Sequence, residues 1–483
     1  MIKRRALRKL GRRAHIPAAV CVALAVGGII LLRAPGHAVF QDTGTTGTWD
    51  ARGASQASFE GPALSGHVSF AQGAVVANGA RRVLAELRLA AGTDAPGQKQ
   101  RFPVALAVVL DISGSMAGDK IEQAKSSVLQ LVERMHDEDQ VAIVVYNHDA
   151  QLIQALAPVG SSRAAIRSRI QWVTAGGGTM IPQALDLGAG ALAGAPERLV
   201  RRVVLVSDGL DGSGLSADLV ARSVRERASS GQSTSSLGIG SDYDERFLTS
   251  VADAGRGNYA FLAMGSELQA FLHRELEETS STVVEQVAAT LDLPGGWRLT
   301  RAYGAEAEGA EGLVRIPIGP MFAGDERRVV LDLTVNAGAP GDTGSMGVGV
   351  SYRTVADRVE HAIGGGRLAL VAVPTESLAA ATRDETVHAT AEATVIDGAQ
   401  QEALEAWRAG DTQRARSLTQ MNSTRLQQLA AEAPAAAPAL APRLEEMAAD
   451  DATFGAVSAG SEQGRAYGLR SNAARRERSR RQP

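Results

Sequence analysis

The stretch Val104-Ala105-Leu106-Ala107-Val108-Val109-Leu110-Asp111-Ile112-Ser113-Gly114-Ser115 decides how the chain is read. Val104 to Leu110 is a short, continuous apolar run with β-branched side chains, which predicts a strand buried on both faces of a parallel sheet. The run stops on Asp111, so the carboxylate falls at the C-terminal end of the strand, the edge at which open α/β sheets place their ligands. Asp111, Ser113 and Ser115 form an Asp-x-Ser-x-Ser cluster of one carboxylate and two hydroxyls. An all-oxygen set of this kind suits a hard ion such as Mg2+, which takes about six oxygens near 2.1 Å and keeps several waters.

Two later segments extend the set. In Ala175-Gly176-Gly177-Gly178-Thr179 the glycines permit tight turns and close backbone approach, and Thr179 offers a third hydroxyl just before a helix opened by Pro182. A second buried-strand pattern, Val203-Val204-Leu205-Val206, runs into Ser207-Asp208-Gly209, which puts another carboxylate at a strand end. Asp111, Ser113, Ser115, Thr179 and Asp208 match, in order and context, the metal-ion-dependent adhesion site of von Willebrand factor type A domains, and the region they span, residues 102–280, resembles that family.

The resemblance implies that the three hydroxyls and one Asp bind the metal directly or through water, while an Asp or Glu carboxylate of a protein partner completes the coordination. The cofactor it implies is Mg2+, with Ca2+ or Mn2+ as alternatives, and binding would be lost to chelators. The plainer alternative is that Asp111 and Ser113 cap a helix and Asp208 is a turn residue. Gly114-Ser115-Met116-Ala117-Gly118-Asp119-Lys120 looks like a phosphate-binding loop but fails its spacing, because Asp119 separates Gly118 from Lys120 and Ile121 follows. His residues are scattered, with neither a His-Glu-x-x-His pair nor a Cys/His cluster, which argues against a zinc protease. His148 reads as a loop residue, and Asp119 and Asp211 as outer groups of the site or exposed caps.

The fold class expected is α/β: a doubly wound, mostly parallel, Rossmann-like sheet of the type A kind, inserted in or flanked by a β-sandwich, with C-terminal helices. Residues 102–280 alternate strands and helices; Ile121, Ala124, Val128, Leu131, Val132 and Met135 give the first helix a single apolar stripe. Residues 66–100 alternate apolar and polar side chains, as in Val83, Ala85, Leu87 and Leu89, and residues 281–374 continue as strands parted by Gly and Pro turns; together they predict one sandwich built from both flanks. Residues 377–449 are rich in Ala, Glu, Gln and Arg at helical spacing, with a tight turn at Gly410-Asp411 and a linker or break at Ala433 to Pro442. Residues 39–65 read as a flexible spacer and residues 450–483, ending in Arg475, Arg476, Arg478, Arg480 and Arg481, as a disordered basic tail.

At the amino end, residues 1–38 hold a Lys/Arg tract from Lys3 to Arg13 and then the apolar run Ile16 to Leu32. As a helix that run spans about 26 Å against a hydrocarbon core of roughly 30 Å, which fits a signal anchor, or a signal peptide cut near Gly36-His37-Ala38. The expected location is therefore single-pass membrane with the bulk of the chain outside the cytoplasm, or secreted if the segment is cleaved. Cys21 lies inside this run and is the only cysteine, so no intrachain disulfide forms. With 483 residues, 21% charged and a formal net charge of −3, the chain is an ordinary globular protein, and nothing points to nucleic acid. The function expected is non-enzymatic: a metal-dependent, adhesion-type protein-binding module. The alternatives are a membrane-associated assembly or regulatory factor and a metal-dependent hydrolase.

Overall fold

The computed structural model describes residues 55–93 and 101–481, so the expectations for residues 1–38 and for the first part of the spacer lie outside the described residues. The chain opens with strands β1 (Gln56–Gly61), β2 (Leu64–Phe70), β3 (Ala74–Val76) and β4 (Gly79–Ala91). An α/β unit follows: β5 (Val104–Asp111), α1 (Asp119–Arg134), β6 (Gln140–Tyr146), β7 (Ala150–Pro158), α2 (Val159–Gln171), α3 (Ile181–Ala191), β8 (Val200–Ser207), α4 (Ala217–Ser229), β9 (Gln232–Ile239), α5 (Glu245–Ala254), β10 (Arg256–Leu262) and α6 (Leu268–Ser280). Strands resume with β11 (Thr282–Asp292), β12 (Trp297–Tyr303), β13 (Leu313–Phe322), β14 (Glu326–Ala337), β15 (Gly341–Thr354) and β16 (Glu360–Val373). Helices α7 (Glu376–Ala380), α8 (Glu385–Arg408), α9 (Thr412–Glu432), α10 (Ala437–Ala456) and α11 (Glu462–Arg481) close the chain.

Every residue of β5 is buried, because the strand sits inside the six-stranded sheet β10-β9-β8-β5-β6-β7 with helices on both faces. Its side chains alternate between two cores. Val104, Leu106, Val108 and Leu110 pack with α1, α2 and α6, while Ala105, Ala107 and Val109 pack with α3, α4 and α5. All neighbouring strands are parallel except β7, which pairs antiparallel with β6 at the sheet edge. Nothing in the sequence of β7 marked it as a strand: its burial is irregular, Gln154 is its only fully buried residue, and it ends on Pro158.

The remaining strands form two five-stranded sheets, β1-β2-β4-β14-β12 and β13-β11-β15-β16-β3, packed around one apolar core. Each sheet takes strands from before and after the α/β unit. β14 pairs with β4 along the whole length of β14, from Gly79 opposite Ala337 to Ala90 opposite Glu326, and this long non-local ladder makes the two flanks one body. The Phe102 amide donates to the Ser280 carbonyl at 2.7 Å, so the α/β unit leaves and rejoins the sandwich at a single place.

α8 lies on the outer face of the first sheet, where polar pairs mix with a small apolar patch of Ala71, Leu84, Val330 and Ala391. Glu86 of β4 is buried and pairs with Arg328 of β14 at 2.7 Å, and Arg82 bridges Asp332 at 3.0 Å and Glu392 of α8 at 2.8 Å. α11 turns back to the α/β unit and inserts Leu469 into the core beside α4 and α5.

Three sequence expectations need correcting. The stretch read as the end of a flexible spacer contains β1, which is held by its ladder to β2 from Gln56–Ser69 to Gly61–Leu64 and buries Phe59 alone, so it carries little apolar pattern to read. The stretch read as a linker at Ala433 to Pro442 contains the start of α10, with Pro438 in the first turn, where no amide is needed. The stretch read as a disordered basic tail contains α11, whose arginines meet carboxylates contributed by other helices: Arg475 pairs with Asp450, Arg478 with Glu446, and Arg476 with Asp253. Asp450 is buried and also accepts from Gln400 Nε2 and Tyr467 Oη, each at 2.8 Å. Asp450→Ala is expected to lower the stability of the helical region by about 3–5 kcal/mol, because Arg475 is left buried without its charge partner. Urea denaturation followed by circular dichroism measures this, and an unstructured tail would give no change.

Candidate metal centre

The C-terminal ends of β5 and β8 lie side by side, with Leu110 opposite Val206, so Asp111 and Asp208 leave neighbouring strands at the same rim. Both carboxylates are buried. Asp111 is held by two donors: the Ser113 amide donates to Oδ1 at 2.8 Å and the Ser207 hydroxyl to Oδ2 at 2.9 Å; the Ile112 amide anchors the turn that follows on the Tyr146 carbonyl. Burial pushes the Asp111 carboxyl above its usual range, hydrogen bonds from Ser113 and Ser207 oppose this, and the Asp208 charge adds to it. Tyr146, buried beside them, donates its hydroxyl to the Val206 carbonyl at 3.0 Å, and burial keeps that phenol protonated.

Asp208 accepts from the Ser115 hydroxyl at 2.7 Å and from Lys120 Nζ at 2.6 Å, and Ser113 Oγ lies 3.0 Å from Ser115 Oγ. Thr179 arrives on the loop between α2 and α3. That loop is fastened on several sides: the Gly176 amide donates to the Ile112 carbonyl at 2.8 Å, the Gly114 amide to the Gly177 carbonyl at 3.0 Å, Asn147 Nδ2 to the Gly176 carbonyl at 2.8 Å, and the Gly212 amide to the Thr179 carbonyl at 2.7 Å. Gly177 has φ +84°, and a Cβ there would lie 2.6 Å from His148 Nδ1, so the turn requires glycine.

Gly209 shows where the groups converge. A Cβ at this position would stand 3.0 Å from Thr179 Oγ1, 3.4 Å from Ser115 Oγ and 3.8 Å from Ser113 Oγ. Three hydroxyls from two loops therefore face one small volume beside Asp208, kept clear by the missing side chain. The structure brings Ser113, Ser115, Thr179 and Asp208 to this point and sets Asp111 directly behind Ser113. Asp211 caps α3 instead, accepting from the Ile181 amide at 2.9 Å, and His148 is exposed with Asp149 at 3.5 Å. Among the described residues no three His, Cys, Asp or Glu side chains gather as a metal cage, which leaves a donor set of hydroxyls and two carboxylates. Lys120 and Ser207 were not anticipated as part of the site; their only sequence signals are adjacency, Ser207 to Asp208 and Lys120 to the Asp-x-Ser-x-Ser turn.

A mostly parallel α/β sheet between two helix layers, with carboxylates and hydroxyls gathered at its C-terminal rim, defines a domain of the doubly wound class, in which ligands sit at that rim. Residues 105–274 match the von Willebrand factor type A domain, and the chain carries a domain of that type. The Escherichia coli (strain K12) protein YfbK is 32% identical over 197 residues, which cover 40% of this chain and 34% of YfbK, so the chain spans about a third of that relative's length. A solved von Willebrand factor type A protein from Catenulispora acidiphila superposes with TM-score 0.59 at 19% identity, covering 79% of this chain and 91% of that one. The ArnB paralog VWA2 from Sulfolobus acidocaldarius does so with TM-score 0.59 at 15% identity, covering 87% and 98%, and at these identities the likeness is one of fold.

Lys120→Met is expected to destabilise the metal-free protein by about 1–2 kcal/mol, less than the ~3–5 kcal/mol typical of breaking a fully buried pair, because the lysine side chain is 39% exposed. Chemical denaturation in EDTA is the measurement; no change would mean that Asp208 is satisfied without the ammonium.

Proposed function

We propose that the rim holds a divalent cation, Mg2+ first and Ca2+ or Mn2+ as alternatives, and uses it to capture a protein partner through an Asp or Glu carboxylate. The residues that would hold it are Asp111, Ser113, Ser115, Thr179 and Asp208. The observation that carries this reading is the convergence of three hydroxyls on the space above Gly209, next to Asp208. Hydroxyls and carboxylates are the hard oxygen donors such an ion selects. When bound, the cation supplies a position that accepts one more anionic oxygen. The chain's residues do the rest: the Ser113 amide and the Ser207 hydroxyl orient Asp111, the fastened loop presents Thr179, and Lys120 neutralises Asp208.

A partner also needs surface to rest on, and the same rim provides it. Trp172 precedes the Thr179 loop and is 83% exposed, Leu210 follows Gly209 and is 66% exposed, and Met264 follows β10 and is 62% exposed. Large apolar side chains left in water around a polar centre are the usual anatomy of a protein-binding surface. The module acts without catalysis, as an adhesion-type domain outside the cytoplasm, carried there by the basic tract and apolar run of residues 1–38. Among the described residues no helix is long and apolar enough to cross a membrane.

Calorimetric titration with Mg2+ and Mn2+ tests the cation. The wild-type chain is expected to bind one equivalent, and Gly209→Ala and Thr179→Ala to weaken binding at least about tenfold, with circular dichroism unchanged. Equal affinity in all three proteins would sink the assignment. For the partner, capture on an array of acidic peptides should require Mg2+, fail in EDTA and fall in Trp172→Ala; capture that ignores EDTA would instead favour an assembly factor that binds without metal.

A further inference from the structure

A second site lies away from the rim. A cavity of about 330 Å³ opens where three parts of the molecule meet: α4, α5 and β10 of the α/β unit, β12 to β14 of the sandwich, and α11. Six arginines line it against two carboxylates, Asp253 and Glu306. Four of the six are matched to acids: Arg225 to Glu306 at 3.0 Å, Arg476 to Asp253, Arg327 to Asp325 at 2.9 Å, and Arg328 to Glu86 at 2.7 Å. The other two make no direct ion pair among the described residues, although Glu308 and Glu306 lie near enough to act on Arg256. Arg256 reaches the Ala228 carbonyl at 3.4 Å and the Ser229 hydroxyl at 3.2 Å, and Arg301 lies 4.9 Å over the Tyr303 ring. The lining thus carries an excess of positive charge that the described residues leave unbalanced.

Two further features bear on what fills the space. The Arg328 side chain is only 5% exposed, and its Nε, like the Nε of Arg476, is a buried donor without a hydrogen-bond partner among the described residues. Buried donors are rarely left without an acceptor, and guanidinium forks match tetrahedral and planar oxyanions. Arg256 is held below the usual guanidinium range, first by burial and then by the like charge of Arg315, with Glu308 opposing, Arg225 adding and Glu306 opposing; an anion bound beside it would act in the same direction as those carboxylates. The volume is at the small end of small-molecule sites, roughly 300–1,000 Å³.

We propose that this cavity is an anion-binding site for a small phosphate-bearing ligand, with Arg256 and Arg301 as the residues that take up its charge. Inorganic phosphate and diphosphate are the simplest probes, and they separate a site for free phosphate from one for a longer phosphorylated molecule by which binds more tightly. Each is titrated calorimetrically into the full chain, against potassium chloride at equal ionic strength and with EDTA present so that the rim cation plays no part. The expected result is saturable one-site binding that weakens at least about tenfold in Arg256→Gln and in Arg301→Gln and is kept in Arg298→Gln, an exposed arginine of the same strand β12 outside the cavity. Arg301 is exposed, so its variant folds even if Arg256→Gln does not. Absence of saturable binding up to about 10 mM, or equal affinity in wild type and Arg301→Gln, overturns the proposal.

Discussion

Asp111 and Asp208 end adjacent strands inside the protein, and two buried carboxylates at one rim repel each other while both lose water. Much of the surrounding structure answers that constraint. Ser207 and the Ser113 amide donate to Asp111; Ser115 and Lys120 donate to Asp208. None of these donors sits on a long flexible tether except Lys120. The others are fixed by strand ends and by a turn whose backbone is bonded to the neighbouring loop, so the carboxylates are presented in one arrangement rather than several.

Holding those strand ends still is the task of the layers beneath. β5 is buried on both faces, and its alternate residues key into two separate helix layers, so it cannot slide by one residue without moving alanines into the space of valines and leucines. The sandwich and the C-terminal helices use a different chemistry. Arginine–carboxylate pairs lace them: Arg82 joins Asp332 within the sandwich to Glu392 of α8, while Arg443 with Asp397 at 2.9 Å and Arg475 with Asp450 join the helices to one another, and several of these are buried. Such pairs add little net stability over an apolar contact, yet they penalise any wrong docking of the helices.

Two positions of the candidate site were legible in the sequence because they follow strands so apolar that the change to Asp or Ser marks the strand end. Asp111 after Leu110 and Asp208 after Val206-Ser207 are of this kind, and both fall where the pattern puts them. What escaped was whatever is held by partners distant in sequence. β1 shows one buried apolar residue and takes its order from a backbone ladder; β7 is an edge strand with irregular burial; α11 has a surface too charged to announce a packed helix, since its carboxylate partners come from elements such as α5 and α10. Lys120 belongs to the same group. An ammonium on the first turn of α1 reads as a solvated side chain until Asp208, far along the chain, is placed beside it.

The bond from the Phe102 amide to the Ser280 carbonyl has a mechanical consequence for the partner capture proposed at the opposite end of the domain. A pull applied at the strand tips reaches the sandwich through two covalent connectors standing next to each other, so they bear the load in parallel and neither is peeled before the other. Within the α/β unit the same pull runs along β5 and β8, whose ladder must then shear as a whole instead of unzipping bond by bond.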